Sequence, residues 1–212
     1  MCSPTCVKSA CCSREGAKIL LVVGLTGSIG MGKTTTAEMF RRAGAPVHDS
    51  DAAVHELYAT SAVAPIATEF PGAIVNNVVD RQILAKAVLS DPAALRRLEG
   101  IVHPLVSMHR ETFLQNARNA GCQFAIADIP LLFETGADRL VDIIVVVTAS
   151  SSVQKERVMA RPGMTNEKFH AILSRQTPDS EKRRKAHWLI DTSFGYEAAQ
   201  RQVAGLMRAL SR

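Results

Sequence analysis

The chain is predicted to fold as an α/β domain on a five-stranded parallel sheet with helices on both faces. Three observations carry that expectation. Aliphatic runs alternate with helix-forming stretches from residue 18 onward, the order that builds a parallel sheet. Those runs are apolar throughout rather than alternating, as strands buried on both faces must be. And 212 residues, 47% of them hydrophobic, can bury one sizeable core without disulfide staples.

The elements follow in chain order. Met1–Ala17 carries Cys2, Cys6, Cys11 and Cys12 but no histidine and no apolar run. It is expected to be a disordered Cys-rich extension, neither a zinc site nor a secretory signal, on a cytoplasmic protein. Lys18–Val23 is the first strand, ended by Gly24 and a glycine-rich turn. Lys33–Ala43 is a helix with Ala37, Phe40 and Ala43 apolar and Gly44 as its stop. Ala45–His48 is a short second strand running into Asp49-Ser50-Asp51. Helices are expected at Asp51–Ala59, Asp80–Leu89, Pro92–Val102 and Leu105–Ala120, the last two parted at His103-Pro104. No strand is expected across residues 54–102, so this stretch should form an inserted helical lobe. Phe124–Ala127, Ile143–Thr148 and Trp188–Ile190 complete the strands; Ser151–Ala160, Thr165–Gln176 and Glu197–Leu210 complete the helices.

Charge narrows the partners. Lys+Arg 25 against Asp+Glu 20 gives a net +5, which suits anionic ligands. It is not the basic stripe of a nucleic-acid binder, and aromatics for base stacking make up only 5%. The longest apolar stretches, Ile19–Leu25 and Ile143–Val147, fall well short of the roughly 20 residues of a membrane span. Neither nucleic acid nor membrane is expected as a partner.

The strongest chemical signal is Gly27-Ser28-Ile29-Gly30-Met31-Gly32-Lys33-Thr34, which satisfies G-x-x-x-x-G-K-[ST] between a strand and a helix. Glycines let the backbone curl round an anion with N–H groups inward, and the helix N-terminus adds positive potential. Lys33 would reach the β- and γ-phosphates of ATP and the Thr34 hydroxyl would meet Mg²⁺. This makes the domain P-loop NTPase-type. No N-K-x-D guanine element and no L-S-G-G-Q signature occurs, so a small-molecule kinase fits best, with the insertion holding the acceptor and a later arginine-bearing segment, about 151–186, closing as a lid.

Three further constellations surround that loop. Asp49-Ser50-Asp51 ends the second strand at the sheet edge where ligands bind; spacing alone leaves open whether these acids take a proton or cap the next helix. Asp128 ends an apolar strand as a Walker B acid would, and it reads either as a magnesium ligand or as a turn cap. Arg157 and Arg161 share a helix face, and Arg161 precedes Pro162-Gly163, where a helix breaks; each reads either as a cation for the transferring phosphoryl group or as solvated surface. Arg175 admits the same two readings. Lys182-Arg-Arg-Lys185 is expected to be a solvated face.

From Lys18 to the C-terminus these residues resemble the dephospho-CoA kinase family of bacterial type. The resemblance rests on Leu25–Thr34, His48–Asp51, His103-Pro104, Asp128–Glu134, the Arg157/Arg161 segment, Arg175-Gln176 and Ile190-Asp191. It implies transfer of the ATP γ-phosphate to the ribose 3′-hydroxyl of dephospho-CoA, giving CoA and ADP in the last step of coenzyme A synthesis. Carried over by position, the general base is Asp51, the lid arginine Arg161, and the ATP-binding set Gly27 to Thr35 with Arg157. His103, Pro130, Leu131, Leu132 and Glu134 would line the acceptor side with Asp51, and Thr34, Asp49 and Asp128 would serve Mg²⁺. Two departures stand out: Ser50 where the family has alanine, and the run Asp191-Thr192-Ser193 after the last strand, where many members place an asparagine near adenine. The rival readings are a P-loop kinase for another small acceptor and a non-catalytic ATP- or RNA-binding module.

Overall fold

The computed structural model describes residues 19–89 and 91–211, so the expectation for Met1–Ala17 lies outside the described residues. Along the chain, β1 (Leu21–Thr26) leads through the glycine-rich turn to α1 (Lys33–Arg42) and β2 (Val47–Asp49). Then come α2 (Ser50–Tyr58), α3 (Val63–Glu69), β3 (Ile74–Val75), β4 (Val78–Val79), α4 (Arg81–Leu89) and α5 (Pro92–Asn119). β5 (Phe124–Asp128), β6 (Ile143–Thr148), α6 (Ser151–Met159), α7 (Asn166–Leu173), α8 (Asp179–Lys185), β7 (Trp188–Asp191) and α9 (Tyr196–Leu210) complete it. Among the described residues no helix is long and apolar enough to cross a membrane.

The residues pack as two units, one formed by the described residues through His48 with those from Asn116 onward, the other by Asp49–Gln115. The first holds the five-stranded sheet, in the order β2-β5-β1-β6-β7. β1 lies at its centre, parallel to β5 (Val23 opposite Ile126) and to β6 (Leu25 opposite Val145), and β6 is parallel to β7. Both alternations of side chains are buried. Val23, Leu25, Phe124, Ile126, Val145, Val147 and Ile190 pack with Phe40 of α1 and with Val203 and Leu206 of α9. The intervening Val22, Ala125, Ala127, Ile144 and Val146 are buried as well. Burial on both faces is what strands without polar alternation require.

β1 continues through Gly24, where a stop was expected. A Cβ at Gly24 would meet Val141 Cγ2 at 3.0 Å, so glycine here admits a neighbouring side chain instead of turning the chain. The strand therefore carries Thr26 to the edge, where its hydroxyl donates to the Pro130 carbonyl at 3.1 Å.

The second unit has its own core of Leu57, Ile66, Phe70, Leu84, Val88, Leu98 and Val102. It contains a hairpin, β3 antiparallel to β4, which corrects the expectation of helices alone. Its turn is Asn76-Asn77, both at positive φ (50° and 61°), the primed geometry that matches strand twist. Strands of two residues leave too little alternation to be seen in sequence. α5 corrects a second expectation, since it runs unbroken through His103-Pro104. Leu98, Ile101, Val102, Leu105 and Val106 form a continuous i, i+3, i+4, i+7, i+8 stripe on this core. Burying that stripe outweighs the roughly 3 kcal/mol a helical proline costs.

Candidate active site

The turn from β1 to α1 is an anion cradle by construction. Gly32, the N-cap of α1, has φ 88° and ψ 16°, and no side chain caps the helix. The first-turn N–H groups at Lys33, Thr34 and Thr35 therefore point out of an open positive end. Gly30 (φ +79°) and Gly32 adopt left-handed geometry that L side chains resist, and a Cβ at Gly27 would strike the Val147 carbonyl at 2.7 Å. Ser28 and Met31 are buried, and Thr34 and Thr35 are exposed.

Lys33 crosses to the end of β5, where its Nζ lies 2.6 Å from Asp128 Oδ1. The Asp128 side chain is 3% exposed and that of Lys33 16%, so the pair is held largely out of solvent. The last residue of the Walker B-like strand thus sits on the lysine of the loop, more than a strand-end turn cap would do.

Met31 ties the loop to its neighbours. Its sulfur accepts from Ala149 N at 3.0 Å, and its carbonyl accepts from the Thr192 hydroxyl at 2.9 Å. Arg157 donates from both terminal nitrogens to Thr192, at 2.7 Å to Oγ1 and 2.8 Å to the carbonyl. The guanidinium is thus committed to fixing the β7–α9 turn against the loop. Thr192 is the buried centre of this arrangement. Arg161 is exposed in the turn after α6, two residues before Gly163 at φ 71°, and Arg175 is exposed as well.

The paired acids divide their duties. Asp49 is the N-cap of α2, its Oδ1 accepting from Ala52 N at 3.0 Å. Asp51 stands exposed in the first turn of the same helix and is not its cap. The ambiguity left by spacing is resolved by geometry in favour of Asp49 as the cap.

The Pro130–Glu134 segment splits. Pro130 is half-buried and Leu131 is 43% exposed, whereas Leu132 is fully buried and offers no surface to a ligand. Glu134 Oε1 accepts from Thr177 N at 2.7 Å and lies 3.0 Å from Lys182 Nζ. Burial alone would raise the Glu134 pKa, but the Lys182 ammonium and the backbone donors at Thr177 and Glu134 itself bring it below the ordinary carboxylate value. Leu132 and Glu134 thus organise the segment from inside, which corrects their expected place on the acceptor surface. Lys182 is corrected too: it is 0% exposed, while Arg183, Arg184 and Lys185 of the same basic run are exposed. Nearby, Asp179 Oδ2 accepts from the Thr148 hydroxyl at 2.9 Å. His103 is exposed midway along α5.

Sequence reasoning missed Gln154 and the structural weight of Gln176. Gln154 Nε2 donates to the Ile29 carbonyl at 2.7 Å, and Ile29 N donates to Gln176 Oε1 at 3.1 Å. Gln154 did leave a signal, being a polar residue four before Val158 on the buried stripe of α6, where a polar side chain needs a partner.

The fit to magnesium follows from donor chemistry. Thr34 and Asp128 offer hard oxygens, and among the described residues no cluster of three or more His, Cys, Asp or Glu forms a cage. One or two protein oxygens completed by phosphate oxygens is how Mg²⁺ is ordinarily held, so these residues suit it.

Comparison with known proteins gives a consistent picture. Residues 21–197 match the family model described as dephospho-CoA kinase. A dephospho-CoA kinase of Mesorhizobium japonicum is 56% identical over 191 residues, covering 90% of this chain and 97% of that protein. One from Rhodopseudomonas palustris is 50% identical over 193 residues, 91% of this chain and 97% of its own length. Among solved structures, TT1252 from Thermus thermophilus superposes with a TM-score of 0.78 at 33% identity, covering 91% of this chain and 98% of that one.

Proposed function

The chain belongs to the dephospho-CoA kinase family, and on that premise we propose how its residues carry the γ-phosphoryl group of ATP to the ribose 3′-hydroxyl of dephospho-CoA. The enzyme is an ATP-dependent kinase of coenzyme A synthesis. The observation that carries the assignment of roles is the open N-terminus of α1, with Lys33 held 2.6 Å from Asp128 at the phosphate loop.

The triphosphate lies on the N–H groups from Gly30 to Thr35, and Lys33 turns from Asp128 to the β- and γ-phosphate oxygens. Thr34 and Asp128 would hold Mg²⁺, with Asp49 as a further acid for it. When bound, the ion would neutralise charge on the β- and γ-phosphates. Asp51, free of the cap, takes the proton of the 3′-hydroxyl as that oxygen attacks phosphorus. Arg161, in the turn after α6, closes over the phosphoryl oxygens as the bond to ADP breaks. Residues 151–186 act as the lid. His103, Pro130 and Leu131 supply acceptor contacts. A supply of free ATP supports a cytoplasmic location for the reaction.

The test is ADP release with Mg-ATP and dephospho-CoA, beside adenosine, AMP, gluconate and shikimate, for the wild type and Asp51→Asn. Turnover should be confined to dephospho-CoA and should fall about 10²- to 10⁴-fold in Asp51→Asn, the range a lost general base accounts for, with ATP binding kept. Turnover that survives the substitution removes Asp51 from the base role. Silence on dephospho-CoA overturns the acceptor.

A further inference from the structure

The two peptide groups that meet at Ile29, midway round the phosphate loop, are each held by a carboxamide. Gln154 of α6 donates to its carbonyl at 2.7 Å, and Gln176, in the turn beyond α7, accepts from its N–H at 3.1 Å. Gln154 is 7% exposed, so its bond is shielded from competing water. The approach of α6 to the loop is close: a Cβ at Gly30 would come within 2.6 Å of Val158 Cγ2 and 3.0 Å of the Gln154 carbonyl. Two bonds tighten the chain at Gln176, Arg175 N to the Ile172 carbonyl at 3.2 Å and Gln176 N to that of Leu173 at 3.0 Å. That turn folds the Gln176 side chain back on Ile29.

We propose that Gln154 and Gln176 are positioning residues for nucleotide binding, which fix the two peptide groups flanking Ile29 and so set the direction of the N–H groups that follow. The Ile29 carbonyl shares its peptide plane with the Gly30 N–H, so the bond from Gln154 directs that N–H, while the bond to Gln176 holds the peptide plane before it. With the Ile29 N–H occupied by Gln176, the anion is left to the donors from Gly30 onward. The clamp also joins the phosphate loop to residues 151–186, so the segment bearing Arg161 bears directly on how well the loop fits a triphosphate. Neither glutamine touches substrate in this role; both act through the loop. The inference rests on the loop being the ATP site and deepens that reading.

The two bonds run in opposite directions, and this gives the test its edge. Glutamate in place of Gln176 keeps an acceptor for the Ile29 N–H. Glutamate in place of Gln154 presents a carboxylate to a carbonyl and keeps no donor. The variants Gln154→Met, Gln176→Met, Gln154→Glu and Gln176→Glu are compared by calorimetric ATP binding and by steady-state kinetics, with melting temperature recorded for each. Removing either bond by methionine should weaken ATP binding about three- to tenfold, the worth of one hydrogen bond. KM for dephospho-CoA should stay within about twofold, a change too small for a lost hydrogen bond. Gln176→Glu should recover most of the ATP affinity and Gln154→Glu should not. The added charge is the same in both, and the melting temperatures read the extra cost of placing it at the more deeply buried Gln154.

Equal behaviour of the two glutamate variants would overturn the proposal. So would methionine variants that bind ATP as the wild type does, or that lose affinity only in step with lost melting temperature. Calorimetric ATP binding needs no acceptor. A clamp effect seen there with no turnover of dephospho-CoA would count against the acceptor assignment and leave the clamp standing.

Discussion

Lys182→Met is the substitution whose cost the structure fixes most tightly. The lysine is 0% exposed and its ammonium lies 3.0 Å from Glu134 Oε1, so methionine of similar length leaves a carboxylate without its cation. Breaking a buried ion pair by removing one member costs about 3–5 kcal/mol. Two features reduce that here. The Glu134 side chain is 14% exposed, and it keeps the Thr177 N–H at 2.7 Å. A loss of about 2–4 kcal/mol is therefore expected, or a fall in Tm of about 4–16 °C for a chain of this size. Urea denaturation of the wild type, Lys182→Met, and Lys182→Met with Glu134→Gln should show the double variant recovering most of the loss, because glutamine still accepts from Thr177 N without a charge.

The pH dependence has a definite sign. Glu134 is held below its ordinary 4.5 in the folded protein, so its contribution is present above that value and lost as pH falls through the lower folded value. The gap between wild type and Lys182→Met should be full at neutral pH and narrow under acid. A single variant less than about 0.5 kcal/mol below the wild type, within the scatter of surface substitutions, would refute the pairing as a structural element. So would a double variant no better than the single.

Two other substitutions bear on the phosphate loop. Gly30→Ala places a Cβ 2.6 Å from Val158 Cγ2 at φ +79°, so it should lower Tm and raise KM for ATP at least about tenfold, measured by scanning calorimetry and initial rates. Arg157→Lys replaces two bonds to Thr192 by at most one, so KM for ATP should rise about fivefold with KM for dephospho-CoA unchanged.

The sheet and the phosphate loop were legible in the sequence because their signals are local and dense. An apolar run, a glycine-rich octapeptide and a helix stop occupy consecutive residues from 18 to 44. The elements missed had physical reasons for their silence. The Ile74–Val79 hairpin is too short to show a period, and Pro104 is a strong local stop that a five-residue apolar stripe overrides. In the site, Lys33, Thr34 and the paired acids could be named from spacing. Which of Asp49 and Asp51 caps α2 could not, because both suit that place. Lys182 sits among four basic residues and nothing in the run marks it as the buried one. Glu134 and Arg157 were visible as chemical groups, yet each has its partner elsewhere in the chain, at Lys182 and Thr192, and only the fold brings those partners together.

β1 pairs with β5 across about a hundred intervening residues, Leu21 opposite Phe124, and the whole Asp49–Gln115 unit lies within that span. The entropy of joining two distant strands grows only with the logarithm of their separation, so doubling such a span adds only about 0.6 kcal/mol. A lineage could therefore lengthen, shorten or exchange this excursion with little thermodynamic penalty to the sheet. What a long span does slow is assembly, since distant parallel pairings must wait for the chain to find itself. Evolutionary freedom in the excursion thus comes with a central pairing of high sequence separation, the kind of contact that slows folding.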